Sequence, residues 1–330
     1  MGRSERRTGI LAAAILAAGV LLALAGERLA AKRLGDEFAY RIDAGGAQPA
    51  ESRWREEPPV PLGSHELQGV AVDADGSVAV IAGQELLWLG PEDAVARRVP
   101  LPGAAFCLGF GADTVFVGLR DRVAVLGRDG ALAAVWEGLG ERAWLTSLAV
   151  RGDDVLVADA GQRLVWRFDT TGRLRGQFGR RDPAAGEEGF VVPSPFFDLA
   201  FGPAGELWVV NPGGHRVQRR SLEGRILASW GETSLGPEGF SGCCNPSHLA
   251  LLADGTFATS GKGIPRVTRH GRDGRFLEVV AGPASFAPLA LDLDLAVDAR
   301  GRILVLDPAR GQLRIFTRGK DGVAGGRGGA

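Results

Sequence analysis

The chain has 330 residues, 45% of them hydrophobic and 23% charged, with 38 basic side chains against 39 acidic ones. The resulting net charge of −1 gives no basic field for counterion release, which excludes nucleic acid as a partner. The length suits two domains or one large repeat fold, and 50 glycines imply many turns between short strands.

Residues 1–8 form a basic flank carrying Arg3, Arg6 and Arg7. Residues 9–26, "GILAAAILAAGVLLALAG", contain no charge. As a helix they would reach ~27 Å, close to the ~30 Å hydrocarbon core. The basic flank predicts a cytoplasmic N-terminus and an exported remainder. Two readings stay open: an uncleaved signal anchor, or a signal peptide cleaved at the small-x-small site Ala23–Ala25. The first places the protein in the cell membrane with its bulk on the periplasmic or extracytoplasmic side, and the second makes it secreted. Residues 27–56 read as a tether, and the glycine-rich residues 319–330 as a disordered tail.

Between these ends the chain repeats. "GVAVDADG" begins at Gly69, "CLGFGADT" at Cys107, "SLAVRGDD" at Ser147, "DLAFGPAG" at Asp198, "HLALLADG" at His248 and "DLAVDARG" at Asp294. The starts are 38, 40, 51, 50 and 46 residues apart. Each is followed by further apolar runs of period two, such as "ELWVV", "RLVWRF" and "ILASWG", separated by turn residues. Four short strands in 40–50 residues make one propeller blade. Six starts predict an all-β, six-bladed β-propeller over residues 57–318. The sixth unit lacks an outermost strand, and an open edge invites aggregation. "EPPVPL", Glu57–Leu62, is the predicted closing strand, since its prolines are tolerated only on an edge. "EFAYRI", Glu37–Ile42, is the second choice.

Units such as "DLAFGPAGELWVVNPGGHRVQRRSLEGRILASWG" resemble NHL repeats. The match is best over residues 147–283, and "GFSGCCNPSHLALLADG" resembles a bacterial subgroup with Gly-Cys-Cys-Asn-Pro before an inner strand. The resemblance implies the fold. It leaves function open, because NHL propellers include scaffolds, receptors, lyases and lactonase-like enzymes.

Propeller topology brings six inner-strand openings to the channel mouth: Gly69, Cys107, Ser147, Asp198, His248 and Asp294. Cys243 and Cys244 lie in the loop that delivers His248. Loops between second and third strands add Asp159, Asn211, His215, Lys262 and Asp307 to the same face. Cys, His and Asp are ligands that zinc, copper or iron accept, and carboxylates could also take calcium. The resemblance offers plainer roles. It implies that Asp198 and Asp294 bond backbone amides of adjacent blades, and that His215 belongs to the repeat's "HRV". Asp159, Asn211 and Asp307 read as turn residues, and Cys107 as an apolar filler. His248 departs from the expected Gly or Asp. The vicinal cysteines have three readings: a disulfide between neighbours, a bridge to Cys107, or thiolate ligation of a metal or haem-type cofactor with His248. Phe190 and Phe240 would cover crevices between blades, as would Trp166, Trp208 and Trp230, while Arg216–Arg220 would form a solvated strand face.

No G-x-S-x-G, H-E-x-x-H, C-x-x-C or C-x-x-C-H motif occurs. The leading expectation is a tethered module that binds a protein or small ligand through the face of Cys243, Cys244 and His248. The 51- and 50-residue spacings, which reflect long loops on that face, support it. The alternative is a metal-dependent hydrolase or lyase with its ion at the channel mouth.

Overall fold

A computed structural model describes residues 53–319 apart from Pro91, Gly186 and Leu289. The chain divides into two units, Met1–Ala44 and Gly45–Ala330, and the first lies wholly outside the described residues. The predicted anchor at 9–26, the candidate strand at 37–42 and all but the first residue of the tail at 319–330 therefore fall outside this description. Among the described residues no helix is long and apolar enough to cross a membrane.

Among the described residues twenty-five strands make six antiparallel sheets. Two short strands come first, β1 (Trp54–Glu56) and β2 (Val60–Pro61). Blade 1 is β3 (Leu67–Val72), β4 (Val78–Ala82), β5 (Glu85–Leu89) and β6 (Val95–Pro100). Blade 2 is β7 (Ala105–Phe110), β8 (Thr114–Leu119), β9 (Val123–Gly127) and β10 (Leu132–Val135). Blade 3 is β11 (Leu145–Arg151), β12 (Asp154–Asp159), β13 (Leu164–Phe168) and β14 (Leu174–Phe178). Blade 4 is β15 (Leu199–Phe201), β16 (Leu207–Asn211), β17 (Arg216–Arg220) and β18 (Ile226–Trp230). Blade 5 is β19 (His248–Leu251), β20 (Phe257–Gly261), β21 (Arg266–His270) and β22 (Phe276–Ala281). Blade 6 is β23 (Leu295–Val297), β24 (Ile303–Asp307) and β25 (Gln312–Arg318). Each inner strand touches that of the next blade, and β23 touches β3, so the ring closes.

Burial follows strand position. Second strands are mostly apolar and buried on both faces, as in "VAVIA" of β4 and "ILVLD" of β24. They are sandwiched between neighbouring blades, so alternation disappears. Outermost strands such as β10 and β18 are exposed. Apolar clusters fill the crevices between blades, and aromatic pairs span them, as Trp208 does with Phe257 at 4.7 Å. Phe190 and Phe240 are buried in the crevice cluster of blades 3–5, where Trp208 also lies, with Trp230 packed against it.

The last blade is completed from the N-terminal side. Val60–Pro61 pairs with β25, and the Glu57 and Leu62 amides donate to Ile315 and Gly311 oxygens at 2.9 and 3.0 Å. Trp54–Glu56 pairs with the far end of the same strand. This corrects the tether reading of residues 27–56 at its end: Trp54 is buried against blade 6, so its apolar surface holds the segment in the ring. Buried Arg302 binds Asp298, Asp93 and Glu57 and so joins blade 6, blade 1 and the closing segment. One further correction concerns Arg216–Arg220. Arg220 is buried, stacks over Phe190 at 4.4 Å and donates to the Gly224 carbonyl at 2.7 Å, because its guanidinium caps the crevice.

Candidate functional site

The openings of the inner strands surround a channel of about 400 Å³ whose wall includes Cys107, Ser147, Asp198 and Asp294. At this radius the blades are close enough for one opening side chain to reach the next blade. Asp198 accepts from its own neighbour Leu199 N at 2.8 Å and from Leu249 N of blade 5 at 2.7 Å. Asp294 does the same with Leu295 N and with Val70 N of blade 1, both at 2.8 Å. Ser147 exchanges hydrogen bonds with Leu199 of blade 4 at 3.2 Å. These side chains clip blade to blade by accepting from backbone amides of the neighbouring blade, and Ser147 also by donating to a carbonyl.

His248 occupies the same position in blade 5 but carries an imidazole. It is 6% exposed. Its Nδ1 lies 3.2 Å from Asp294 Oδ1 and 3.9 Å from Asp198 Oδ2, and its Nε2 lies 3.1 Å from Asp292 Oδ1. Burial pulls its pKa down, but hydrogen bonds and charge from Asp292 and Asp294 outweigh that and hold it well above the ordinary histidine value. Burial pushes the Asp198 carboxyl up to about 6, with the His248 charge opposing and Asp294 reinforcing. The charged imidazole is thus an ion-pair lock among three carboxylates. Asp292 is the partner that the repeat pattern does not reveal; it lies outside the strand, at φ 58, a left-handed backbone that Asp tolerates. Its signal was the doubled acid of "LDLD".

Asp198, His248 and Asp294 are also the metal-capable donor group that forms among the described residues, with one ligand atom from each within 4.8 Å of the others. With the proton on Nε2 facing Asp292, the Nδ1 lone pair would point at the two carboxylates. Nitrogen and oxygen donors held this way suit zinc or iron. Two carboxylates fall short of the six to eight oxygens that calcium takes. No hydrogen bond joins His248 to either sulfur of Cys243 or Cys244 among the described residues. The expected single constellation is two neighbouring sites, both touching Phe196. Its ring meets His248 edge-on at 6.1 Å and lies under Lys262 Nζ at 4.5 Å.

The second site is built on the lead-in loop of blade 5. Asn245 braces it, donating to Ser241 O at 2.6 Å and Lys262 O at 2.9 Å and accepting from Lys262 N at 2.9 Å. This ties the loop to the β20–β21 turn. Cys244 is 1% exposed, whereas Cys243 is exposed, and both are thiols with their sulfurs 3.0 Å apart. Lys262 Nζ donates to Ser194 Oγ at 2.8 Å, and Ser194 Oγ donates to Cys244 Sγ at 3.1 Å. Burial raises the Cys244 pKa, but hydrogen bonds from Cys243, Lys262 and Ser194 bring it below the ordinary thiol value. The hydrogen bond and charge of Cys244 raise that of Cys243. Ser194 and Phe196 come from the preceding lead-in loop, and only "VPSPFFD" hinted at them.

The remaining candidates are placed as follows. Cys107 is buried in the crevice of blades 2 and 3, and burial drives its thiol pKa strongly upward. Its sulfur fills the space over Gly118, where a Cβ would come within 2.3 Å. His215 is half-buried at φ 51, with Nδ1 2.5 Å from Thr233 Oγ1. Asp159 accepts from Trp144 N, Gln162 and Trp166 Nε1 at 3.0–3.1 Å, which makes it a loop brace. Asn211 accepts from Val191 N, and Asp307 binds Arg310.

A scan against protein-family models gives no match, and neither does a search of the curated proteins. Solved structures do match. A streptogramin B lyase is 12% identical, with 80% of this chain and 97% of that chain covered at a TM-score of 0.55. A virginiamycin B lyase from Staphylococcus aureus is 12% identical over 80% and 99% of the two chains, also at 0.55. The WD40 β-propeller domain of Doa1 is 14% identical over 77% and 79%, at 0.52. At these identities the likeness shows the fold alone: this chain is a six-bladed β-propeller.

Proposed function

We propose that this protein is an NHL-type propeller, exported and held at the membrane by residues 9–26, that acts as a binding module for a protein or small ligand through its lead-in face. One observation carries the reading. The long lead-in loops of blades 4, 5 and 6 each display an apolar side chain to solvent on that face: Val191 at 51%, Leu235 at 62% and Leu291 at 53% exposure. These loops are braced rather than loose. Arg266 alone donates to Leu235, Gly236 and Gly239 carbonyls at 2.6–3.0 Å. Leu132, Val135, Leu174, Ile226 and Leu227 are exposed on the outer strands as well; what marks the lead-in face is that its exposed apolar groups stand on braced loops, where binding surfaces are built.

The test is site-specific photocrosslinking in cells. A photoreactive residue at Leu235 should capture a discrete partner that one at Leu227, on the outer strand β18, does not. Equal capture from both positions, or capture from Leu227 alone, overturns the reading. Membrane fractionation with and without residues 1–26 tests the tether, and release of the protein unaltered by that deletion contradicts it.

A second reading rests on the Asp198–His248–Asp294 donors, which would hold an ion at the channel mouth of a hydrolase or lyase. Elemental analysis of protein purified without chelator separates the two. Stoichiometric zinc or iron that disappears in His248→Ala favours the enzyme.

A further inference from the structure

The contacts around Cys244 form a chain from a cation to solvent: Lys262 ammonium, Ser194 hydroxyl, Cys244 sulfur, Cys243 sulfur. A structural cysteine has no use for such a chain. A buried sulfur that accepts from a hydroxyl, itself held by an ammonium, is built to carry negative charge. The exposed sulfur beside it is the one that an external molecule can reach. We propose that Cys243 and Cys244 are a redox couple that exchanges with an external disulfide, with Cys243 as the sulfur that meets it and Cys244 as the internal sulfur that completes the transfer. This adds a chemistry to the lead-in face and does not require the binding reading to hold.

The step balances as follows. Cys243 gives its proton to solvent and attacks one sulfur of an external disulfide R–S–S–R. A Cys243–S–S–R bond forms and one R–S⁻ leaves, taking a proton from water. Cys244, whose sulfur lies 3.0 Å away, gives its proton to solvent and attacks Cys243 Sγ as the thiolate. The Cys243–Cys244 bond forms, the mixed disulfide breaks and the second R–S⁻ leaves to be protonated. Two electrons pass from the dithiol to the external disulfide, and one disulfide is exchanged for another. In the reverse direction Cys244 is the leaving sulfur, and Lys262 and Ser194 stabilise its charge. A bridge between sequence neighbours closes an eight-membered ring, whose strain favours that reversal. Cys107 takes no part, since its thiol is buried in another crevice and held protonated.

The test uses the full chain, reduced and then exposed to glutathione disulfide, followed by acid quench and peptide mass mapping. Wild type is expected to reach an internal Cys243–Cys244 bridge with only a transient glutathione adduct. Cys244→Ser is expected to trap the adduct on Cys243, and Cys243→Ser to accumulate none. Lys262→Met should slow bridge closure roughly tenfold at neutral pH, because the Cys244 thiolate loses the ammonium at the head of its hydrogen-bond chain, and Lys262→Arg should restore most of the rate. Circular dichroism confirms that each variant is folded. A stable adduct on wild type with no bridge overturns the proposal. So does closure at the wild-type rate in folded Lys262→Met.

Discussion

His248 and Cys244 lie four residues apart and both contact the surroundings of Phe196, yet they sit in opposite kinds of environment. Around His248 both ring nitrogens face carboxylates: two carboxylates clip neighbouring blades and hold the imidazole between them, while a third closes its far side. Around Cys243 and Cys244 the donors converge on a buried sulfur and the chain ends at an exposed one. A satisfied ionic cluster holds structure, whereas one that stabilises charge beside an open sulfur is poised to react. Proximity in sequence and a shared face do not make one site.

The largest expected effect breaks the first cluster. His248→Leu leaves three carboxylates without their cation and should cost about 3–5 kcal/mol in denaturant unfolding. A loss below about 1 kcal/mol would place His248 outside the structural framework. The pH dependence sharpens the contrast between two buried histidines. The folded His248 pKa is raised, so its contribution is full below about pH 6.5 and is lost as pH rises through the folded value. Burial lowers the His270 pKa to about 4, so its contribution is full above about pH 6.5 and is lost as pH falls toward 4. His270 stacks with Trp230 at 5.1 Å and bonds Thr268 at 3.0 Å, so it is neutral in the fold. Its acid limb should amount to about 3 kcal/mol, and chemical denaturation at stepped pH should show that limb flattened in His270→Phe. Asp198→Ala follows, at about 1–3 kcal/mol for the amide it strands at Leu249. The smallest effect is Cys243→Ser, within ~0.5 kcal/mol, since that sulfur is exposed.

The ring was legible in the sequence because it is periodic. The apolar runs, the six starts and the residues opening each inner strand recur in the same order in every unit, and Asp198 and Asp294 do clip adjacent blades. The functional face was only half legible, because it is made where non-repeating loops meet. Ser194 and Phe196 belong to one lead-in loop, Cys244 to the next, and Lys262 to a turn beyond it. No spacing rule pairs such residues. Asp292 escaped for the same reason, and Arg220 because its charge suggested solvent while its long stem caps a crevice.

The most direct test follows the ultraviolet absorbance of thiolate against pH, taken as the difference between each protein and the same protein lacking both Cys243 and Cys244. Lys262→Met should move the first ionisation of the sulfur pair upward, and Asp292→Asn, which disturbs only the His248 cluster, should leave it in place. An upward or downward shift in Asp292→Asn as large as that in Lys262→Met would show one coupled site, and would contradict the separation on which the account rests.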